Sequence, residues 1–191
     1  MRKWWIWVPL FAGLLTAELV AASLYGHQGQ LRRFGVVRPG VLYRSGQPEG
    51  AHWNKLTAQY GIRTVIDFRE LTPQAPWSIQ QEEYCRQNGI RLVHIPMADS
   101  LGPPPEQIQA FFTIVHDARN WPVLIHCEQG ASRTGVMSAS YRIVDEGWTY
   151  QDAIDEAVRY RFPVDHNQQY DAFLRKLAED NRTSPALAVG Y

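Results

Sequence analysis

Pro122-Val123-Leu124-Ile125-His126-Cys127-Glu128-Gln129-Gly130-Ala131-Ser132-Arg133-Thr134 is the stretch on which the fold turns. Val123-Leu124-Ile125 is a short, continuous apolar run, the pattern of a strand buried on both faces. A turn containing Gly130 follows. The segment from Thr134 to Glu146 then predicts a helix, closed by Gly147 as a C-cap. Cys127 therefore stands at the carboxyl end of a buried strand, at the mouth of a loop that feeds a helix.

The same alternation extends outward on both sides. Val41–Arg44 predicts a short strand and Glu49–Tyr60 a helix, with Trp53, Leu56 and Tyr60 on one face. Thr64–Phe68 is a second buried strand, and a helix is expected around Ile79–Asn88. Arg91–Ile95 is a further strand, and Glu106–Asp117 an amphipathic helix that turns Ile108, Phe111, Phe112 and Val115 inward. Beyond the loop, Thr149-x-x-Asp152 has the form of a capping box with Asp in place of Glu or Gln. It opens a helix carrying Ala153, Ile154, Ala157 and Val158, which Pro163 should break. A last helix around His166–Asp180 buries Tyr170, Phe173, Leu174 and Leu177. Strands alternating with helices imply an α/β fold with a mainly parallel central sheet flanked by helices. Such sheets bind ligands beyond the carboxyl ends of their strands, where Cys127 lies.

One hydrophobic helix is expected before this domain. Met1-Arg2-Lys3 is basic, and Trp4 to Tyr25 is apolar apart from Thr16, Glu18 and Ser23. A membrane-spanning helix needs about 20 mostly apolar residues, and Trp4, Trp5 and Trp7 suit a headgroup boundary. Residues 1–25 thus read as a retained signal anchor or as a signal peptide cleaved near Val20-Ala21-Ala22. The basic end stays cytoplasmic. The expected location is a membrane-anchored, extracytoplasmic (periplasmic) catalytic domain, or a secreted periplasmic one after cleavage. Residues 26–38 read as a linker, 39–180 as the catalytic domain and 181–191 as a frayed tail.

The 191 residues carry 19 basic and 19 acidic side chains, a formal net charge of zero. Nothing global draws the chain to nucleic acid or an acidic membrane surface, so any anion must be attracted locally. Two cysteines, Cys85 and Cys127, are too few for a disulfide framework and wrongly spaced for zinc. Cys85 sits in a helical stretch and reads as a small buried apolar residue.

Cys127 has different company. Successive N–H groups in a turn around Gly130 can form a nest for an anion, and the following helix start adds free donors and positive potential. The same field favours a thiolate over a thiol. Arg133 supplies a planar fork suited to two phosphate oxygens, which lysine cannot copy. Gly130 lets the backbone approach the ligand without a Cβ in the way. Nucleophile and anion clamp share one loop, as phosphoryl transfer through a phosphocysteine requires. No metal or cofactor is called for, because Arg133 and the loop amides balance the charge. The Thr134 hydroxyl could hydrogen-bond the sulfur. His126 either orients the loop or is simply a buried histidine bonded to backbone.

His126-Cys127-x5-Arg133-Thr134 resembles the signature of the cysteine-based protein tyrosine and dual-specificity phosphatases. Leu42-Tyr-Arg-Ser-Gly-Gln-Pro48, Val65-Ile-Asp-Phe-Arg69, Ile95-Pro-Met97 and Pro122-Val-Leu-Ile-His-Cys127 follow in the order of the compact atypical members, which include bacterial, plant and fungal forms. The resemblance spans roughly Val37 to Phe173. It implies a phosphatase whose phosphate cradle is Glu128, Gln129, Gly130, Ala131, Ser132 and Arg133. It also implies a general acid on the loop Met97-Ala-Asp-Ser-Leu-Gly-Pro-Pro-Pro105, where Asp99 is the one acid. A turn aspartate is the alternative there. Asp67 is expected to hold loops near the site, with Asp117 and Asp165 as further candidate acids.

Family members acting on highly charged inositol phosphates often place basic residues inside the loop, and Glu128 runs against that. A phosphoprotein substrate is therefore favoured, carrying phosphotyrosine and also phosphoserine or phosphothreonine. A lipid, inositol or other small phosphate is the alternative, and a sulfur-transfer or arsenate-reductase-type enzyme a remote one. Other expected partners are a membrane through the N-terminal helix and no nucleic acid.

Overall fold

The computed structural model of the protein describes residues 31–98 and 102–183. Five strands form one sheet: β1 (Gly35–Arg38), β2 (Leu42–Ser45), β3 (Thr64–Asp67), β4 (Arg91–His94) and β5 (Val123–His126). Their spatial order is β1-β2-β5-β3-β4. β1 runs antiparallel to β2, and every other pairing is parallel. The parallel core expected from the alternating pattern is present, with β5 at its centre.

Helices cover both faces: α1 (Ala51–Tyr60), α2 (Pro76–Gln87), α3 (Pro105–Val115), α4 (Ser132–Glu146), α5 (Tyr150–Arg159) and α6 (Gln168–Thr183). Side chains alternate across a strand, and the two apolar clusters record it. Leu42, Ile66, Phe68, Val123, Ile125 and Cys127 pack on one face with residues of α3, α4, α5 and α6. Tyr43, Val65 and Leu124 pack on the other with Trp53 and Leu56 of α1 and Cys85 of α2. The sheet therefore separates the two cysteines.

Several boundaries differ from expectation. Residues 31–38, read as part of a linker, hold β1, whose alternating buried and exposed side chains pair with β2. The strand is four residues long, too short for its period to stand out from a loop. The last helix runs on to Thr183, and Asn181 Nδ2 donates to Ile143 O at 2.8 Å, so residues 181–183 are tied to α4 rather than frayed. α5 ends at Arg159, ahead of Pro163, where Arg161 takes a positive φ of 63°. The Thr149 cap forms as expected, its Oγ1 accepting the Asp152 N–H.

The expected signal segment 1–25, the rest of the linker and the tail from 184 fall outside the described residues. Among the described residues no helix is long and apolar enough to cross a membrane.

Candidate active site

β5 delivers Cys127 from the centre of the sheet into the loop that ends at α4. The Gly130 N–H donates to Cys127 Sγ at 3.2 Å, so the loop curls back over its own cysteine. Gly130 holds a φ of +69°, and a Cβ there would lie 2.5 Å from Gly46 N and 2.6 Å from Ser45 C and O. Only glycine meets both demands. α4 starts at Ser132 with Ala131 as N-cap, and no side chain caps it. A position usually held by Ser, Thr, Asp or Asn is here an alanine, so the first-turn N–H groups remain available to an anion.

The strand-to-helix segment around Gly46 braces this loop. Gln47 N donates to Glu128 O at 3.0 Å, and Arg33 Nη1 to Gln129 O at 2.5 Å. Asn167 Nδ2 donates to Ser132 Oγ at 3.0 Å. Glu128 and Gln129 are exposed, Gly130 and Ala131 buried, and Ser132 and Arg133 half-buried. Arg133 Nη1 reaches Phe68 O at 3.4 Å, the carbonyl that also accepts Met97 N–H. That contact sets the guanidinium beside the loop expected to hold the general acid.

Asp99 itself lies outside the described residues. The carbonyl of Ala98, on the near side of that loop, accepts Tyr170 OH of α6 at 2.5 Å. Two alternative acids sit elsewhere. Asp117 caps the turn Ala118–Asn120 before β5, at the opposite end of the sheet from Cys127, and bonding to Arg119 holds its carboxyl below the usual range. Asp165 is exposed in the turn Val164–His166.

Thr134 is fully buried, and its hydroxyl has no hydrogen-bond partner among the described residues, so the expected bond to the sulfur is not formed. His126 is also fully buried and lies on the face away from Cys127, with its ring 6.4 Å from Trp53, edge on. Its Nδ1 is 3.8 Å from Asp67 Oδ1. Burial lowers its pKa, against the opposing pull of Asp67 and of the Cys127 backbone. Neither ring nitrogen makes a hydrogen bond of good geometry among the described residues. A neutral imidazole is what such burial favours.

Asp67 organises the floor, as expected. Its carboxylate accepts Arg69 N–H at 2.8 Å and Gln81 Nε2 at 2.9 Å. Gln81 in turn accepts from Gln47, and Gln47 accepts from Arg69 Nη1. Arg69 lies over the Trp77 ring and 3.9 Å from Glu128. One buried carboxylate thus links the ends of β2, β3 and β5 to the loop.

Sequence reasoning missed Arg44. It is 1% exposed, in a strand buried along its whole length, and its Nη2 donates to Gly130 O at 2.6 Å. The visible signal was an arginine inside a strand that should be apolar. Asn167 was missed because a single amide in a short turn carries no pattern.

A family model described as DSP-PTPase phosphatase fused to NAD+ kinase matches residues 35–175. The dual specificity protein phosphatase TpbA of Pseudomonas aeruginosa is 31% identical over 122 residues, 64% of this chain and 52% of that protein. Inositol diphosphatase DSP1 of Oryza sativa is 32% identical over 131 residues, 66% of this chain and 56% of that protein. The chain therefore spans about half the length of these curated relatives. The crystal structure of P. aeruginosa TpbA superposes with a TM-score of 0.64 at 25% identity, over 84% of this chain and 92% of that one. A Cys-to-Ser form of TpbA has been solved with phosphotyrosine. The core of the PP-IP phosphatase SIW14 of S. cerevisiae matches with a TM-score of 0.68 at 24% identity, over 80% of this chain and 89% of that one. The fold, the loop and the family match agree: this chain belongs to the DSP-PTPase phosphatase family, among the cysteine-based tyrosine and dual-specificity phosphatases.

Proposed function

We propose that the chain hydrolyses phosphoric monoesters through a phosphocysteine on Cys127, with phosphoproteins as its substrate class. The observation that carries this is the loop itself: Cys127 Sγ is held by the Gly130 N–H at 3.2 Å, ahead of a helix start with no side-chain cap. The thiolate attacks phosphorus and the ester oxygen leaves with the bonding electrons. Arg133 and the loop amides hold the non-bridging oxygens as charge moves between them. Asp99 gives its proton to the leaving oxygen. Water then attacks the phosphocysteine, restoring the thiolate and releasing phosphate, with Asp99 taking the proton back. Thr134, at the start of α4, would stabilise the departing sulfur once its hydroxyl turns toward it.

Phosphotyrosine is supported by TpbA, which has been solved with that ligand, and the interior Glu128-Gln129-Gly130-Ala131-Ser132, which carries no lysine or arginine, runs against a more highly charged substrate. Inositol diphosphates are the second reading, supported by the rice relative. Turnover of phosphotyrosine, phosphoserine and phosphothreonine peptides against an inositol pyrophosphate, at equal concentration, tests the choice. A higher kcat/KM on the pyrophosphate overturns the phosphoprotein reading. The basic start and apolar run of residues 1–25 support an extracytoplasmic placement, which fractionation of the full chain would test.

A further inference from the structure

Buried charges are found paired, or else they serve something. Arg44 is 1% exposed, and among the described residues its side chain makes one hydrogen bond, from Nη2 to Gly130 O at 2.6 Å. Its Nε and Nη1 have no hydrogen-bond partner among the described residues. The guanidinium lies 4.0 Å over the Tyr160 ring. Glu156, the nearby carboxylate, is already held by two bonds from Arg142, at 2.9 and 2.6 Å. Burial lowers the Arg44 pKa to about 10, so the side chain is cationic at neutral pH despite its cost.

The register explains what the cation faces. Arg44 pairs with Ile125 across the parallel β2–β5 ladder. Leu42, two residues before Arg44, packs on the same face as Ile125 and Cys127, and residues i and i+2 share a face. Arg44 and Cys127 therefore project from neighbouring strands on the same side of the sheet. Gly130 joins them through its two ends: its N–H donates to Cys127 Sγ, and its C=O accepts from Arg44.

We propose that Arg44 is a positioning residue for Cys127: it grips the Gly130 carbonyl so that the Gly130 N–H faces the sulfur, and it backs the loop with a positive charge. Tyr160 fixes the plane of the guanidinium. Gly35 makes room for that ring, since a Cβ there would lie 2.1 Å from the Tyr160 hydroxyl. The Gly130 amide that meets the sulfur is thus held from within the core by Arg44. A neutral replacement loses both the grip and the charge. Lysine keeps the charge but has no planar fork to hold Gly130 while stacked on Tyr160. The role rests on the phosphocysteine reading, yet its test does not depend on turnover.

The test is the pH dependence of Cys127 alkylation by iodoacetamide in wild type, Arg44→Met and Arg44→Lys, with circular dichroism to establish folding. Cys85 stays silent below alkaline pH, because burial pushes its thiol up to about 12. In Arg44→Met the acid limb of the alkylation profile should move to higher pH, slowing the reaction about tenfold or more at a fixed pH on that limb. Arg44→Lys should fall between that form and wild type, with kcat reduced more than KM is raised. A folded Arg44→Met with the wild-type alkylation profile overturns the proposal. If the Met form does not fold, Arg44→Lys decides, and wild-type alkylation and turnover in it overturn the proposal. A wild-type protein that hydrolyses no phosphate ester would instead sink the phosphocysteine reading and leave the alkylation test of Arg44 standing.

Discussion

The Gly130 N–H points at Cys127 Sγ from 3.2 Å, while the Ser45–Gly46 backbone fills the space that a Cβ on Gly130 would need. The contact to the cysteine sulfur and the tight packing of the loop thus fall on one residue. Gly130→Ala would put a Cβ 2.5 Å from Gly46 N at a φ of +69°. We expect a stability loss of roughly 1–3 kcal/mol from backbone strain alone. With the donor displaced, kcat should drop about 100-fold or more. Denaturant unfolding and steady-state kinetics on a phosphate ester check both.

Leaving-group dependence tests the acid. Asp99→Asn should lower kcat by about 10²–10⁴ for alkyl phosphates, whose oxygen needs a proton, and far less for para-nitrophenyl phosphate. An equal loss on both would assign the proton to another group.

The two thiols should behave separately. Cys127 shares its face of the sheet with α3–α6, whereas Cys85 packs with Trp53, Leu56 and Leu124 on the other. Peroxide should inactivate wild type and Cys85→Ala at the same rate, with equal recovery in dithiothreitol. Peptide mapping of oxidised protein should show no Cys85–Cys127 disulfide. Recovery that depends on Cys85 would contradict the separation.

His126 makes stability depend on pH. Burial lowers its pKa in the folded state below the ordinary 6.5. On acidification the unfolded chain therefore takes up a proton first, near its ordinary value, while the folded one resists. Stability thus rises with pH through that window and is lost as pH falls below it. One proton limits this contribution to about 1.4 kcal/mol per pH unit. Urea unfolding from pH 7 to pH 5 should show the slope in wild type and a shallower one in His126→Gln.

The sheet, its parallel sense and the strand-loop-helix around Cys127 were legible because β3 and β5 are compact, largely apolar runs and the loop residues are contiguous. β1 was not, since its pairing with β2 depends on neighbours distant from any periodic signal. Arg44 and Asn167 were hidden for the same reason: 86 residues separate Arg44 from Gly130, and 35 separate Asn167 from Ser132. Contacts of that span leave no mark on local pattern. The bond expected from Thr134 to the sulfur was a local inference, yet the buried hydroxyl makes no hydrogen bond among the described residues. Adjacency in sequence placed Thr134 in the first turn of α4 but did not set its rotamer.

Trapping the covalent intermediate would identify the residue that carries the phosphoryl group. Wild-type protein, mixed with a phosphate ester carrying radioactive phosphorus and quenched in acid within one turnover, should carry the label on the peptide containing Cys127. Cys127→Ser should bind substrate, take up no label and show no turnover. Label on another residue, or substantial turnover by Cys127→Ser, would rule out a phosphocysteine on Cys127.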